Sequence, residues 1–126
     1  MISRIDAELQ RLGVGAKMRM IIIAQSAHET GKWKSNIFKT KNNCFGMTVK
    51  GKPDQFQKYE TIEASVQELI AWLNRKGISL NLTSIQLYIA LIKANKYFTD
   101  TYNNYYRAVK KLYLQLFPHE PKDQVV

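Results

Sequence analysis

The residue whose type and setting best suit chemistry is Glu29, in the stretch Ala24-Gln25-Ser26-Ala27-His28-Glu29-Thr30-Gly31. It closes an apolar run that includes Met18, Met20 and three consecutive isoleucines, Ile21, Ile22 and Ile23. A carboxylate at the end of so apolar a helix is costly to hide unless it is paired or used. Beside a cleft, the same surroundings disfavour the ionised form and raise the pKa. A glycosidase acid needs that property, because it must hold a proton near neutral pH to give to the leaving oxygen. The residues alone leave a second reading open, a solvated glutamate at a helix end. His28 is expected to point to another side of the helix in a structural role. Cys44, between Asn43 and Phe45, reads as a small packing residue rather than a nucleophile. Two histidines and one cysteine, widely separated, make a poor ligand set, so no metal and no cofactor is expected.

Glu29 must be positioned by helices. Ile5, Leu9 and Leu12 recur at helical spacing and predict a helix over 3–12, after which Gly13 and Gly15 punctuate the chain. A second helix is expected over Ala16–Thr30, with Met18, Ile21 and Ile22 inward and Gly31 as its stop. Consecutive isoleucines imply burial on most sides, which makes this the central helix. From Lys32 to Tyr59 the helical period fades. Segments 45–49 and 55–59 flank a turn at Lys50-Gly51-Lys52-Pro53-Asp54 and predict a small hairpin or irregular lobe. Helices resume over 62–76, ended by Gly77, then after a cap at Thr83 or Ser84, and over 103–116 before Pro118. The tail over 118–126 is expected to be ordered only if docked. The fold class is mainly α, a helical bundle around a buried helix with a small β-hairpin lobe.

The chain has 126 residues, 45% of them hydrophobic, which suits one domain spanning 1–126 with its own core. Nineteen Lys and Arg against ten Asp and Glu leave a net charge of +9, favouring anionic partners such as a bacterial wall, a membrane surface or nucleic acid. The basic residues are scattered rather than gathered on one helix or arm, so nucleic acid is not the expected partner. Tyr102, Tyr105 and Tyr106 beside Arg107 and Lys110 are the residues that would stack on bases if it were. The apolar run 18–24 is too short to span a bilayer. Asp6, Glu8, Arg4 and Arg11 stand where an export signal would be apolar. If the substrate lies outside the cytoplasm, another route is expected: carriage in a phage particle, release from a host cytoplasm through a holin-type lesion at lysis, or membership in a longer chain.

Several motifs fall in a specific order: Glu29-Thr30-Gly31, then Trp33, Ser35 and Phe38, then Asn42-Asn43-Cys44-Phe45-Gly46-Met47. Phe56-x-x-Tyr59 with Ser65 follows, and later Tyr97-x-Thr99-Asp100 with Tyr105. This series, running from about Ile21 to Leu112, resembles the family 73 glucosaminidases, lysozyme-like peptidoglycan hydrolases of flagellar-rod and autolysin type. The resemblance implies an α+β lysozyme-like fold whose hairpin lobe forms one wall of a glycan cleft. It implies that Glu29 is the catalytic acid and that Asn43, Phe45 and Gly46 form the turn shaping the cleft, with Phe45 equally readable as core. It assigns Tyr59 and Tyr97 to the substrate site, although Tyr97 also reads as a core aromatic. Trp33 would stack on a sugar face or anchor its loop. The chain departs from the family in two places. The lobe that often supplies a second carboxylate is very short, leaving Asp54 first and Glu60 second as candidates. Thr101 replaces the family's proline, and Tyr105 lies two residues beyond the family's spacing.

The expected activity is hydrolysis of the N-acetylglucosaminyl bond of peptidoglycan. Either a second carboxylate activates water and inverts the configuration, or the substrate's 2-acetamido group attacks; the short lobe favours the acetamido route. A muramidase or lytic transglycosylase on the same fold is the near alternative. A non-catalytic wall-binding or virion module is the alternative from another class.

Overall fold

Three isoleucines in a row put apolar side chains on more than one side of a helix, and the structure puts that helix in the middle. A computed structural model describes residues 1–120 and residue 125. In chain order the elements are α1 (Ile2–Arg11), α2 (Ala16–Thr30), α3 (Asn36–Lys41), β1 (Thr48–Val49), β2 (Lys52–Phe56), α4 (Ile62–Arg75), α5 (Ile85–Ala94) and α6 (Tyr102–Leu116). Nine residues of α2 are buried, including all three isoleucines and the polar Gln25 and Ser26. Helices α1 and α6 pack on α2, α4 packs on α1, and α5 packs on α6. Burying Ile, Leu and Val side chains in one cluster drives this arrangement, each contributing roughly 1.5–3 kcal/mol. This is the mainly helical, lysozyme-like architecture with a two-stranded sheet that the sequence implies.

Local signals fix where the helices begin and end. Ser35, Thr61, Ser84 and Thr101 each accept an amide of the first helical turn, opening α3, α4, α5 and α6. Gly31 ends α2 at φ 56°, and its amide reaches back to the Ala27 carbonyl.

Two expectations are corrected. The segment after Gly31 contains a short helix, α3, where only loop was expected. The hairpin is also shifted: its turn is the two-residue Lys50-Gly51, and β2 starts at Lys52 rather than at Gln55. Gly51 at φ 76° permits so tight a reversal. Val49 pairs with Lys52 and Thr48 with Phe56, so β2 bulges between the two pairs.

The tail expected over 118–126 is described at 118–120 and 125, while 121–124 and 126 lie outside the described residues. Glu120 accepts the Tyr113 hydroxyl at 2.9 Å and pairs with Lys17 at 3.4 Å, and Val125 is buried. Among the described residues no helix is long and apolar enough to cross a membrane.

Candidate active site

Glu29 sits on the last turn of α2 and faces a cleft of about 1240 Å³. The cleft has the end of α2 and the start of α6 on one side, with residues 45–48 and the hairpin on another. The outer face of α4 and the α5–α6 linker complete it. Glu29 and Tyr105, on α2 and α6, are brought together by the packing of those two helices. The Tyr105 hydroxyl donates to Glu29 Oε1 at 2.7 Å. Among the described residues Oε2 has no hydrogen-bond donor, and no cation pairs with Glu29. Burial raises the Glu29 pKa above the ordinary carboxylate value, and the Tyr105 hydrogen bond offsets only part of that rise. Tyr105 is itself held: Phe98 stacks on it at 3.8 Å, and His28 meets it edge-on at 4.8 Å. Burial keeps the Tyr105 phenol protonated, and the neighbouring Glu29 adds to the effect.

The turn 43–47 is pressed against Glu29, and side chains engage the backbone of Cys44, Phe45 and Met47 within it. Asn43 Oδ1 accepts from the amides of Phe45 and Met47, while Nδ2 donates to the carbonyls of Met47 and Gln57. Ser26 donates to the Cys44 carbonyl at 2.8 Å, and the Cys44 amide donates to Ser65 at 2.9 Å. Tyr97 donates to the Phe45 carbonyl at 2.7 Å. Leaving such groups unpaired would cost about 1–3 kcal/mol each. Gly46 completes the approach. It has φ 67°, and a Cβ there would lie 2.6 Å from Glu29 Oε2. A side chain at this position would both strain the backbone and strike the acid.

The structure gathers Glu29, Phe45, Gly46, Tyr59 and Tyr97 on the cleft. Phe45 is both cleft wall and core, being almost fully buried. Tyr59 points its hydroxyl at the Met47 sulfur, 3.8 Å away, and burial pushes its pKa up to about 12. Asn43 lies beneath the cleft as the clasp of the turn. Trp33 is not on the cleft: its Nε1 donates to Ser26 at 3.0 Å and its amide to Thr30, which anchors the loop after α2. Asp54 and Glu60 are exposed and do not line the cleft. His28 departs from expectation, because the end of α2 turns it into the same cleft as Glu29. Burial lowers its pKa, against a weaker pull from Asp100. Cys44 is buried, which pushes its thiol up to about 11 and away from the reactive thiolate.

Residue-type reasoning missed the contribution of α4. Glu68, Trp72 and Arg75 line the cleft at helical spacing, beside the core stripe Val66, Leu69, Ile70 and Leu73. A tryptophan between charged residues one turn either side is the signal that marks this face. Trp72 meets Tyr97 edge-on at 5.0 Å. Among the described residues, Glu68 and Asp100 are the other carboxylates on the cleft. Glu68 pairs with Arg75 at 3.7 Å, and Asp100 accepts from the Thr101 amide and Asn104 at the start of α6. Among the described residues no group of His, Cys, Asp and Glu is arranged to hold a metal ion.

The sequence model of one protein family, glucosaminidase, described as mannosyl-glycoprotein endo-beta-N-acetylglucosaminidase, matches residues 4–116. Neither the curated proteins nor the solved structures include a match to this chain. The matched span runs from α1 to the last residue of α6, so it takes in every element that lines the cleft. The chain therefore belongs to the glucosaminidase family of glycoside hydrolases, in keeping with its resemblance to the family 73 enzymes.

Proposed function

We propose that this protein cleaves peptidoglycan strands at the N-acetylglucosaminyl bond, with Glu29 as the general acid. The observation that carries the proposal is Glu29 itself. It is a cleft-facing carboxyl raised by burial, held at one oxygen by Tyr105 and, among the described residues, paired with no cation. Tyr105 fixes Oε1, so the proton for the leaving oxygen is delivered from Oε2, on the side of Gly46. Trp72 and Tyr97 offer flat apolar surfaces on which sugar rings would rest. The net charge of +9 would hold the protein to an anionic wall.

The role of nucleophile is assigned to the substrate's 2-acetamido oxygen, which attacks the anomeric carbon as the bond to the protonated leaving oxygen breaks. Water then opens the resulting oxazolinium ring at that carbon, giving its proton to Glu29 and restoring the acetamide. The exposed positions of Asp54 and Glu60, off the cleft, support this route over water activation by either residue. Anomer-resolved NMR of the first products tests it. Retention is expected, whereas inversion would assign water activation to a carboxylate, with Glu68 the first to replace.

The test of the whole reading is digestion of purified peptidoglycan by the wild type and by Glu29→Gln, followed by borohydride reduction and mass spectrometry. Reduced N-acetylglucosamine ends made only by the wild type are expected. Reduced muramic or anhydro-muramic ends would move the cut to the other bond. A folded protein that binds the wall and makes no product would sink the enzyme reading.

A further inference from the structure

The ends of the helices differ in a way that bears on what the cleft recognises. Helices α1, α2, α3 and α4 are followed by a left-handed residue that is Gly13, Gly31, Asn42 and Gly77 respectively. These are the residue types that adopt this conformation most cheaply. Helix α5 ends in the same manner, with the Tyr97 amide reaching back to the Ile92 carbonyl at 2.9 Å, but its left-handed residue is Lys96, at φ 65°. The other left-handed residues with such side chains, Lys32 and Trp33, merely continue the turn that Gly31 begins. Nothing in the helix end requires a lysine at 96, and glycine would serve the backbone better.

The side chain of Lys96 does have a place, because it lines the cleft. Lys50, from the hairpin turn, and Lys76, from the end of α4, line it as well. All three are exposed, and none pairs with a carboxylate among the described residues. Lys93 fixes the linker beyond Lys96, its ammonium donating to the carbonyls of Phe98, Thr99 and Asp100. Three lysines from three separate segments, none paired with a carboxylate among the described residues, thus line one cleft.

We propose that Lys96, with Lys50 and Lys76 around it, binds carboxylate groups carried by the glycan strand, and that the cleft selects acidic strands over neutral ones. The inference rests on the glucosaminidase reading for the identity of the strand. It assigns these lysines to substrate selection and leaves proton transfer to Glu29.

The probe is glycan strands freed of their peptides by an amidase, which leaves a lactyl carboxylate on each muramic residue. A paired sample has those carboxyls converted to methyl amides. Binding is measured with the Glu29→Gln protein, so that turnover does not intrude, alone and with Lys96→Gly, Lys96→Met or Lys96→Arg added. The parent is expected to bind the acidic strands about tenfold more tightly than the amidated ones. Lys96→Gly and Lys96→Met should each weaken binding to acidic strands about fivefold and leave amidated strands unaffected, while Lys96→Arg keeps the preference. Lys96→Gly should melt no lower than its parent, which separates recognition from folding. Equal affinity for the two samples, or an equal loss with Lys111→Met on the outer face of α6, would overturn the inference. Wild-type cleavage of the same strands reports separately on the hydrolase reading. A binding preference without cleavage would sink the hydrolase and leave carboxylate recognition standing.

Discussion

Glu8 and Glu29 are both carboxylates largely withdrawn from water, and they have opposite fates. Glu8, on α1, accepts from Arg11 through Nε at 2.7 Å and Nη2 at 2.6 Å, and from Gln67 at 2.8 Å. Those bonds hold its pKa down to about 2 despite burial. Glu29, on α2, has one phenol at 2.7 Å and no paired cation among the described residues, and its pKa is raised. Burial works in the same direction at both sites; the partners decide the outcome. A guanidinium makes the buried carboxylate a permanent anion that ties α1 to α4. Without one, burial prevails and Glu29 holds its proton more tightly than an ordinary carboxyl does.

The largest effect should come from removing the proton. Glu29→Gln is expected to lower turnover of peptidoglycan by about 10²–10⁴-fold. The same change should stabilise the fold at neutral pH. A raised pKa means the folded state binds the proton more tightly than the unfolded chain, so wild-type stability falls as pH rises from about 4.5 through the raised value. The melting difference between variant and wild type should therefore grow with pH and vanish in acid. No such growth would show that Glu29 is an ordinary solvated carboxylate.

Gly46→Ala comes next, because it acts on Oε2 by contact. Displacing the acid should lower kcat about 10²-fold, and the left-handed φ should cost about 1 kcal/mol of stability in denaturant titrations. Tyr105→Phe should lower kcat about tenfold through lost orientation. It should also move the alkaline limb of the pH–rate profile upward, since the hydrogen bond that lowers the Glu29 pKa is gone. A downward shift would mean that Tyr105 does not act on the carboxyl as the geometry implies.

Glu8→Gln is the counterpart on α1. It should cost about 1 kcal/mol above pH 4.5, where the wild-type carboxylate is charged in both states. That deficit should close as pH falls toward 2, the range in which the depressed pKa forfeits its contribution. Activity should not change. Smallest of all, Asp54→Asn and Glu60→Gln should leave kcat/KM within about twofold, as surface substitutions do. A large loss at either would restore the inverting route.

What could be read from the sequence follows the range of the physics involved. The bounds of α2 match expectation because an apolar run and a terminal glycine are local signals. Glu29 stood out for the cost of burying it. Helix α3 was invisible, since Ile37 and Phe38 are its only apolar residues and six residues are too few to show a period. The hairpin was displaced because its pairing depends on a bulge. Tyr105 lies 76 residues from the carboxyl that it holds, and the family's spacing pointed elsewhere. Only the packing of α6 on α2 brings them together. Asp54 drew attention by its place in a turn, yet every residue of β2 is exposed.

One consequence of α2 concerns time rather than geometry. The helix that carries the acid is also the most enclosed part of the molecule, and its backbone amides from Ile21 to Ala27 are expected to exchange with solvent only when the whole fold opens. An active site built on a loop can be lost while its scaffold survives. Here the two share one lifetime, so the rate at which activity decays on heating should equal the rate of global unfolding.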